Sequence, residues 1–325
     1  MADPLLKIEN LSVDYRRHGK RVHAVRDVSL ELNEGETLGV VGESGCGKST
    51  LAMAVLRLLP DRDSRIPGGK IFFRSQDLLA LDAEPLRRIR GGQIAVIFQD
   101  PFSALNPVLT VGDQLEESME VHGGGRDRAK TLSLLERVRL PDPERIYRAY
   151  PHQISGGQRQ RACLALAIAN RPALLIADEP TTALDVTLQK EILDLLDGLR
   201  RDLKMAILFI THNMGLVSQR TDRLAVMYAG EIVERGKTAD VMSAPLHPYT
   251  AALLRSLPRL HKSAGKLPII PGQPPDLSAV PGGCPFHPRC PRVFDPCAEH
   301  IPALLPHEGR SVSCHLYHSP VAAGR

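Results

Sequence analysis

Residues 37 to 60 constrain this chain more than any other stretch. Thr37-Leu-Gly-Val-Val41 is a short apolar run, Gly42-Glu-Ser-Gly-Cys-Gly-Lys-Ser49 follows at once, and Ser49 to Leu59 carries a helical pattern that Pro60 stops. This order predicts a buried strand, a glycine-rich loop and a helix. The loop fits G-x-x-x-x-G-K-[ST]. Glycines let its backbone wrap closely enough for successive N–H groups to point at phosphate oxygens, and the helix adds the positive end of its dipole. Gly42, Ser44, Gly45, Cys46, Gly47, Lys48, Ser49 and Thr50 are therefore expected to hold the phosphates of a nucleotide. Lys48 would bridge the β and γ phosphates and the Ser49 hydroxyl would ligate Mg²⁺. The plainer alternative is a glycine-rich turn with no ligand, and the strand-then-helix context weighs against it.

The flanking pattern is that of an α/β protein. Leu6 to Tyr15 and Val22 to Leu32 alternate apolar and polar residues, as half-buried antiparallel strands do. Short apolar runs recur at Ile71 to Phe73, Ile94 to Phe98, Ala173 to Ala177, Met205 to Ile210 and Leu224 to Met227, several separated by helical patterns, which points to a largely parallel sheet. Leu188, Ile192, Leu195, Leu199 and Leu203 fall on one face of an amphipathic helix. From about Thr110 to Asn170 strand signals vanish, which suggests a helical insertion.

Composition narrows the class. Hydrophobic residues at 43% and charged residues at 24% exclude a disordered chain, and 325 residues suggest roughly two domains. A net charge of +4 is too small for a nucleic-acid binder. No run approaches the ~18 to 20 apolar residues of a membrane-spanning helix, and the first 20 residues lack a continuous apolar segment of secretory type. The expectation is a soluble, cytoplasmic chain in a reducing compartment, where clustered cysteines bind metal or do redox chemistry more often than they form structural disulfides.

Ala173-Leu-Leu-Ile-Ala-Asp178-Glu179 complements the phosphate loop. A buried strand ending in carboxylates places Asp178 where it can hold Mg²⁺, through water, and Glu179 where it can polarise an attacking water. Taken alone, this could equally be a solvated acidic turn.

Ser155-Gly-Gly-Gln158 precedes the helical pattern Arg161 to Ala169, with 20 residues between Gln158 and Glu179. This second glycine-rich element resembles the ATP-binding cassette (ABC) family. The resemblance extends to Gln99, to Ala183-Leu-Asp185 and to His212 after the Met205 to Ile210 strand, and spans about residues 5 to 255. It implies an ABC-type P-loop ATPase fold at residues 1–257, in which a mixed, mainly parallel core sheet joins an antiparallel β subdomain and a helical subdomain at about residues 100–170. It also implies roles. Tyr15 would stack on adenine, unless it is simply a strand aromatic in the core. Gln99 would contact Mg²⁺ and water, and His212 would hold the γ phosphate. Ser155, Gly156, Gly157 and Gln158 would face ATP bound on a partner in a head-to-tail dimer, and Asp185 would communicate between the two sites. Glu179 would be the catalytic carboxylate. Ile154 stands where the family usually has Leu, a conservative change.

Phe98-Gln-Asp-Pro101, Ser103-Ala-Leu-Asn-Pro107, Tyr150-Pro-His-Gln-Ile154, Ala177 to Val186 and His247-Pro-Tyr-Thr250 look like the dipeptide and oligopeptide permease ATPases. Thr181-Thr182 is similar to the D-type subunit, which usually pairs with a distinct F-type ATPase. The resemblance implies import of di- or oligopeptides at the cytoplasmic face of the inner membrane. The partners would be a second ATPase, two membrane permease subunits and an extracytoplasmic peptide-binding protein, with no nucleic acid. Importers of nickel and other small solutes share much of this vocabulary. A soluble cassette acting on DNA or ribosomes is the alternative from another class, and such proteins usually carry two cassettes, a coiled-coil insertion or basic arms.

The last quarter differs in material. Fifteen of the 26 prolines lie between Pro245 and Pro320, and Cys284-x5-Cys290-x6-Cys297-x16-Cys314 holds four of the six cysteines, with Gly282-Gly283 allowing a tight approach. Residues 258–325 are expected to form a loop-rich metal-binding extension. In the peptide-permease ATPases a similar extension holds a [4Fe–4S] cluster on its four cysteines. Spacing alone leaves zinc, unligated thiols and a redox disulfide open, and His287 and His315 stand close enough to replace a ligand. Cys46 and Cys163 have no separate assignment.

Overall fold

The computed structural model describes residues 3–17, 19–100, 104–181, 185–257 and 269–318. Its backbone packs as two units, one of Met1–Leu32, Thr37–Leu79 and Ile210–Arg325, the other of Asn33–Glu36 and Ala80–Phe209.

The first unit opens on an antiparallel pair, β1 (Leu6–Arg17) and β2 (Lys20–Leu32), with Leu6 opposite Leu32 and Tyr15 opposite Val22. The buried series Leu6, Ile8, Leu11, Val13 skips one residue at Asn10, whose φ is 47. That bulge keeps the apolar face inward on both sides of the register shift. β3 (Thr37–Val41) is buried at every residue, as a strand covered on both faces must be. It leads through the glycine loop into the helix Lys48–Val55. β4 (Ser64–Phe73) and β5 (Gln76–Asp77) complete a four-stranded sheet of order β2-β1-β4-β5.

In the second unit β6 (Ile94–Ile97) runs parallel to β7 (Leu174–Asp178), with Ile97 beside Ala177. β8 (Ala206–Thr211) lies on the other side of β7. Four α-helices, Val111–Val121, Arg128–Arg137, Pro143–Arg148 and Gly156–Ile168, lie in the stretch expected to be helical, with no strand there among the described residues. Each begins on a side chain that accepts a first-turn N–H: Thr110, Asp127, Asp142 and Ser155. The helix Val186–Leu203 buries Ile192, Leu195 and Leu199 of the expected face together with Leu193 and Leu196, while Leu188 and Leu203, at its ends, are half-buried.

The chain then returns to the first unit with β9 (Arg223–Tyr228), β10 (Glu231–Lys237), β11 (Leu305–His307) and β12 (Arg310–Val312). In this unit the order is β11-β12-β10-β9-β3, with β3 parallel to β9 and the pairs outside them antiparallel, which is the mixed pattern that the resemblance implied. The tail is loop-rich, yet it has a buried anchor. Phe286 packs on Tyr228 and Tyr249 at centroid distances of 5.3 and 5.4 Å, and all three rings are fully buried. Among the described residues no helix is long and apolar enough to cross a membrane.

Candidate functional site

The phosphate-loop half lies in the first unit. Gly47 caps the helix Lys48–Val55 at φ 109, and a Cβ there would stand 2.1 Å from the Ala24 carbonyl oxygen. Conformation and packing both require glycine at this point. Among the described residues no side chain caps the helix, and the start of a helix without such a cap is suited to an anion. Lys48 is buried, and its Nζ donates to the carbonyls of Gly42 (2.9 Å) and Glu43 (3.0 Å). Nζ also lies 3.8 Å from Cys46 Sγ; burial pushes that thiol's pKa up, Lys48 opposes, and the net shift is upward. Ser49 and Thr50 are half-buried in the first helical turn, and Ser44 and Gly45 are exposed.

Glu43, inside the loop, has partners that sequence reading missed. Its N–H donates to Tyr249 Oη (2.9 Å), and its carboxylate receives both arms of Arg289 (2.7 and 2.9 Å). The hydrogen bond to Glu43 holds the Arg289 guanidinium's pKa above its ordinary value. No pattern in the sequence ties residue 43 to residues 249 and 289. Tyr15 is half-buried and lines a cleft with Arg16, Lys20, Arg21 and Arg65 rather than packing in the core. His212 is exposed, one residue past β8.

The carboxylate half lies in the second unit. Asp178 ends β7 and is buried; Glu179 follows at φ 48, a left-handed conformation that costs a non-glycine residue about 1 kcal/mol or more. Gln99 Nε2 donates to Glu179 Oε2 at 3.3 Å, so the parallel β6–β7 pair brings these two expected residues together. Two glutamines that sequence reading missed brace the turn after Glu179. Gln160 Nε2 donates to the Pro180 carbonyl (2.6 Å) and Gln189 Nε2 to that of Thr181 (2.9 Å). Gln189 lies on the helix expected from Leu188 onward, whereas Gln160 falls just before the expected helical pattern Arg161 to Ala169 and 20 residues from Pro180, and neither position tells a brace from a solvated amide.

Ser155 and Gln158 form a reciprocal capping box at the start of Gly156–Ile168, and Ser155 and Gly156 are exposed. Gly157 approaches Leu188. Asp185 caps the next helix, accepting from the Leu188 N–H at 2.9 Å. Thr182, Ala183 and Leu184, and Pro101 to Ser103, lie outside the described residues.

Cys284, Cys290, Cys297 and Cys314 line one cavity with Phe286, Phe294 and Leu316, and all six cysteines are free thiols. The expected metal centre is not assembled: among the described residues no group of three or more His, Cys, Asp or Glu could hold a metal ion. Burial pushes the Cys284 thiol up to about 12 and Cys314 up to about 11. The tight approach expected at Gly282-Gly283 is present, since Gly283 (φ 65) would place a Cβ 2.4 Å from the Cys297 carbonyl oxygen.

Comparison with known proteins bears on the whole chain. The family pattern described as ABC transporter matches residues 25–182, and that described as oligopeptide/dipeptide transporter, C-terminal region, matches residues 233–297. A Brucella abortus (strain 2308) protein named as a peptide import ATP-binding protein is 49% identical over 96% of this chain and 94% of its own. The dipeptide transport ATP-binding protein DppD of Bacillus subtilis (strain 168) is 45% identical over 97% of this chain and 95% of its own. Among solved structures, the dimeric post-hydrolysis state of the ATP-binding cassette MJ0796, bound to ADP and phosphate, matches with a TM-score of 0.64 at 28% identity, covering 72% of this chain and 98% of that one.

Proposed function

The chain belongs to the ABC transporter ATP-binding proteins that carry the oligopeptide/dipeptide transporter C-terminal region, and from that membership we propose how its residues energise peptide import. It is the ATP-binding, ATP-hydrolysing subunit of a peptide importer.

The observation that carries the residue assignments is Lys48, buried and turned onto the carbonyls of its own glycine loop. On ATP binding its ammonium moves to the β and γ phosphates, while the loop N–H groups and the helix start take the remaining charge. Tyr15 stacks on adenine. Ser49, Asp178 and Gln99 each offer a hard oxygen donor of the kind that Mg²⁺ takes, and the ion would neutralise phosphate charge. Glu179 polarises the attacking water, Gln99 orients it, and His212 holds the γ phosphate. Hydrolysis needs this positioning and charge neutralisation rather than covalent chemistry.

The exposed Ser155 and Gly156, at the start of a 13-residue helix, support their use on a nucleotide held by a partner, with Gly157, Gln158 and Asp185 beside them. The partners are a second ATPase of F type, two membrane permease subunits and an extracytoplasmic peptide-binding protein, and the subunit works peripherally at the cytoplasmic face of the inner membrane. Residues 1–257 are assigned to the cassette and 258–325 to the tail. The tail's four thiols, facing one cavity, fit a thiolate-held [4Fe–4S] centre by the chemistry of the donor set, once deprotonated and drawn inward. Such a centre would stabilise a segment with little core of its own.

The test reconstitutes the full chain with the permease subunits and second ATPase in vesicles and measures ATP-dependent uptake of a labelled dipeptide. Uptake lost in Lys48→Ala is expected; uptake of nickel but not peptide would move the assignment to the related metal importers. Iron and sulfide in equal amounts in anaerobically purified protein would support the tail centre, and stoichiometric zinc without iron would replace it.

A further inference from the structure

One residue of the phosphate loop is fastened to the C-terminal part of the chain. Glu43 is held at its N–H by Tyr249, at its carboxylate by Arg289 and at its carbonyl by Lys48 Nζ. Arg289 belongs to the turn His287–Arg289 between Cys284 and Cys290, and its side chain is only 5% exposed, against 23% for Glu43. Its remaining donors reach the Pro271 carbonyl (2.9 Å) and Tyr228 Oη (3.2 Å), which leaves the planar guanidinium a single pose.

Two physical requirements meet at this pair. A carboxylate in a loop that must receive phosphate is a like charge in the wrong place unless a cation cancels it. In addition, the Lys48 ammonium that now satisfies the Gly42 and Glu43 carbonyls leaves them when it turns to phosphate, so the loop must keep its shape through groups that phosphate does not use. Arg289 meets both requirements, cancelling the Glu43 charge and fixing the residue from outside the loop.

We propose that Arg289 is a positioning residue of the ATP site, reaching from the cysteine-bearing tail to neutralise and clamp Glu43 so that the loop stays open to phosphate. The inference rests on the assignment of the loop to ATP.

Mg-ATP hydrolysis and binding by the full-length protein test it. Losing a partly buried, bidentate charged pair should raise the KM for ATP about tenfold in Arg289→Ala, with kcat changed less than about threefold. Lys cannot reproduce the fork, so Arg289→Lys should fall between. The discriminating variant is Arg289→Ala combined with Glu43→Gln. Removing the orphaned charge should restore most of the ATP affinity, whereas a purely structural tie would leave the double variant as weak as Arg289→Ala or weaker. An unchanged KM in Arg289→Ala, or no recovery in the double variant, overturns the proposal. If Arg289→Ala does not fold, Arg289→Lys carries the test, and an unchanged KM there overturns it equally. Failure of the ATP assignment itself is separable: it would appear as no turnover by the unmodified chain, or as no loss of binding in Lys48→Ala.

Discussion

Gln99 and Glu179 meet at 3.3 Å because the strands that carry them are parallel neighbours in register, with Ile97 beside Ala177. The amide holds one carboxylate oxygen. For the general-base role proposed for Glu179, catalysis of this kind contributes about 100-fold or more. We expect Glu179→Gln to keep ATP affinity within about threefold while turnover falls by at least about 100-fold. Equilibrium nucleotide binding beside phosphate release checks this, and near-normal release by the variant would remove Glu179 from the mechanism.

Gln160 is expected to matter for rate rather than affinity. It is buried in the Gly156–Ile168 helix and donates to Pro180, directly after the left-handed Glu179. Gln160→Leu leaves that carbonyl without this donor and frees the turn, so kcat should fall about tenfold while ATP binding holds. Equal losses in both would show that Gln160 supports the unit as a whole.

Acid should weaken the first unit through His247. Complete burial lowers its pKa from 6.5 to about 3, and its Nδ1 accepts the Tyr249 N–H at 3.1 Å. Between those two values the unfolded chain binds a proton that the folded chain refuses. Stability is therefore full above about pH 6.5 and declines by about 1.4 kcal/mol per pH unit below it, until the folded group itself titrates. His247→Gln, which keeps an acceptor but does not titrate, should flatten the dependence of unfolding on pH between 6.5 and 4. Burial pushes the neighbouring carboxyl Glu234 upward, and its titration is common to both proteins. Parallel curves for the two would refute the assignment.

Gly283→Ala should loosen the cysteine cavity. The new methyl would meet the Cys297 carbonyl at 2.4 Å in a left-handed backbone, for a loss of about 2 kcal/mol in that segment. Thiol labelling should then reach Cys284 and Cys297, both buried, much faster than in the unmodified chain. Unchanged labelling rates would mean that the tail absorbs the strain.

Short-range chemistry was the legible part of this chain. The loop from Gly42 to Ser49, the Ser155 cap and the Asp178-Glu179 strand end are local patterns, and their elements lie where the periodicity puts them. The phosphate-loop helix ends at Val55, short of the Leu59 expected, because Arg57 turns left-handed (φ 49) before Pro60 is reached. Ile71 to Phe73 proved to be the end of a ten-residue strand. Its first part contains Pro67, Gly68 and Gly69 and carries no apolar alternation; it pairs with β1 on one side only, which proline and glycine tolerate. Contacts between distant positions, such as Glu43 with Arg289, leave no periodic trace, so the tail's attachment to the loop could be seen only in three dimensions. The four cysteines were read as ligands of a metal centre; they do line one cavity, but among the described residues they form no group that could hold a metal ion, and spacing alone carries no such geometry.

The pairing of β12 with β10, Glu234 opposite Val312 and Arg235 opposite Ser311, bears on association as well as folding. Without it the seven-residue strand Glu231–Lys237 would present a row of open N–H and C=O groups to any passing chain. β12 covers that row, and β11 outside it is only three residues long with Pro306 at its centre, a poor template for further growth. A chain truncated after about residue 300 would thus be prone to add strands from its neighbours, so the last segment protects the molecule against self-assembly into sheets.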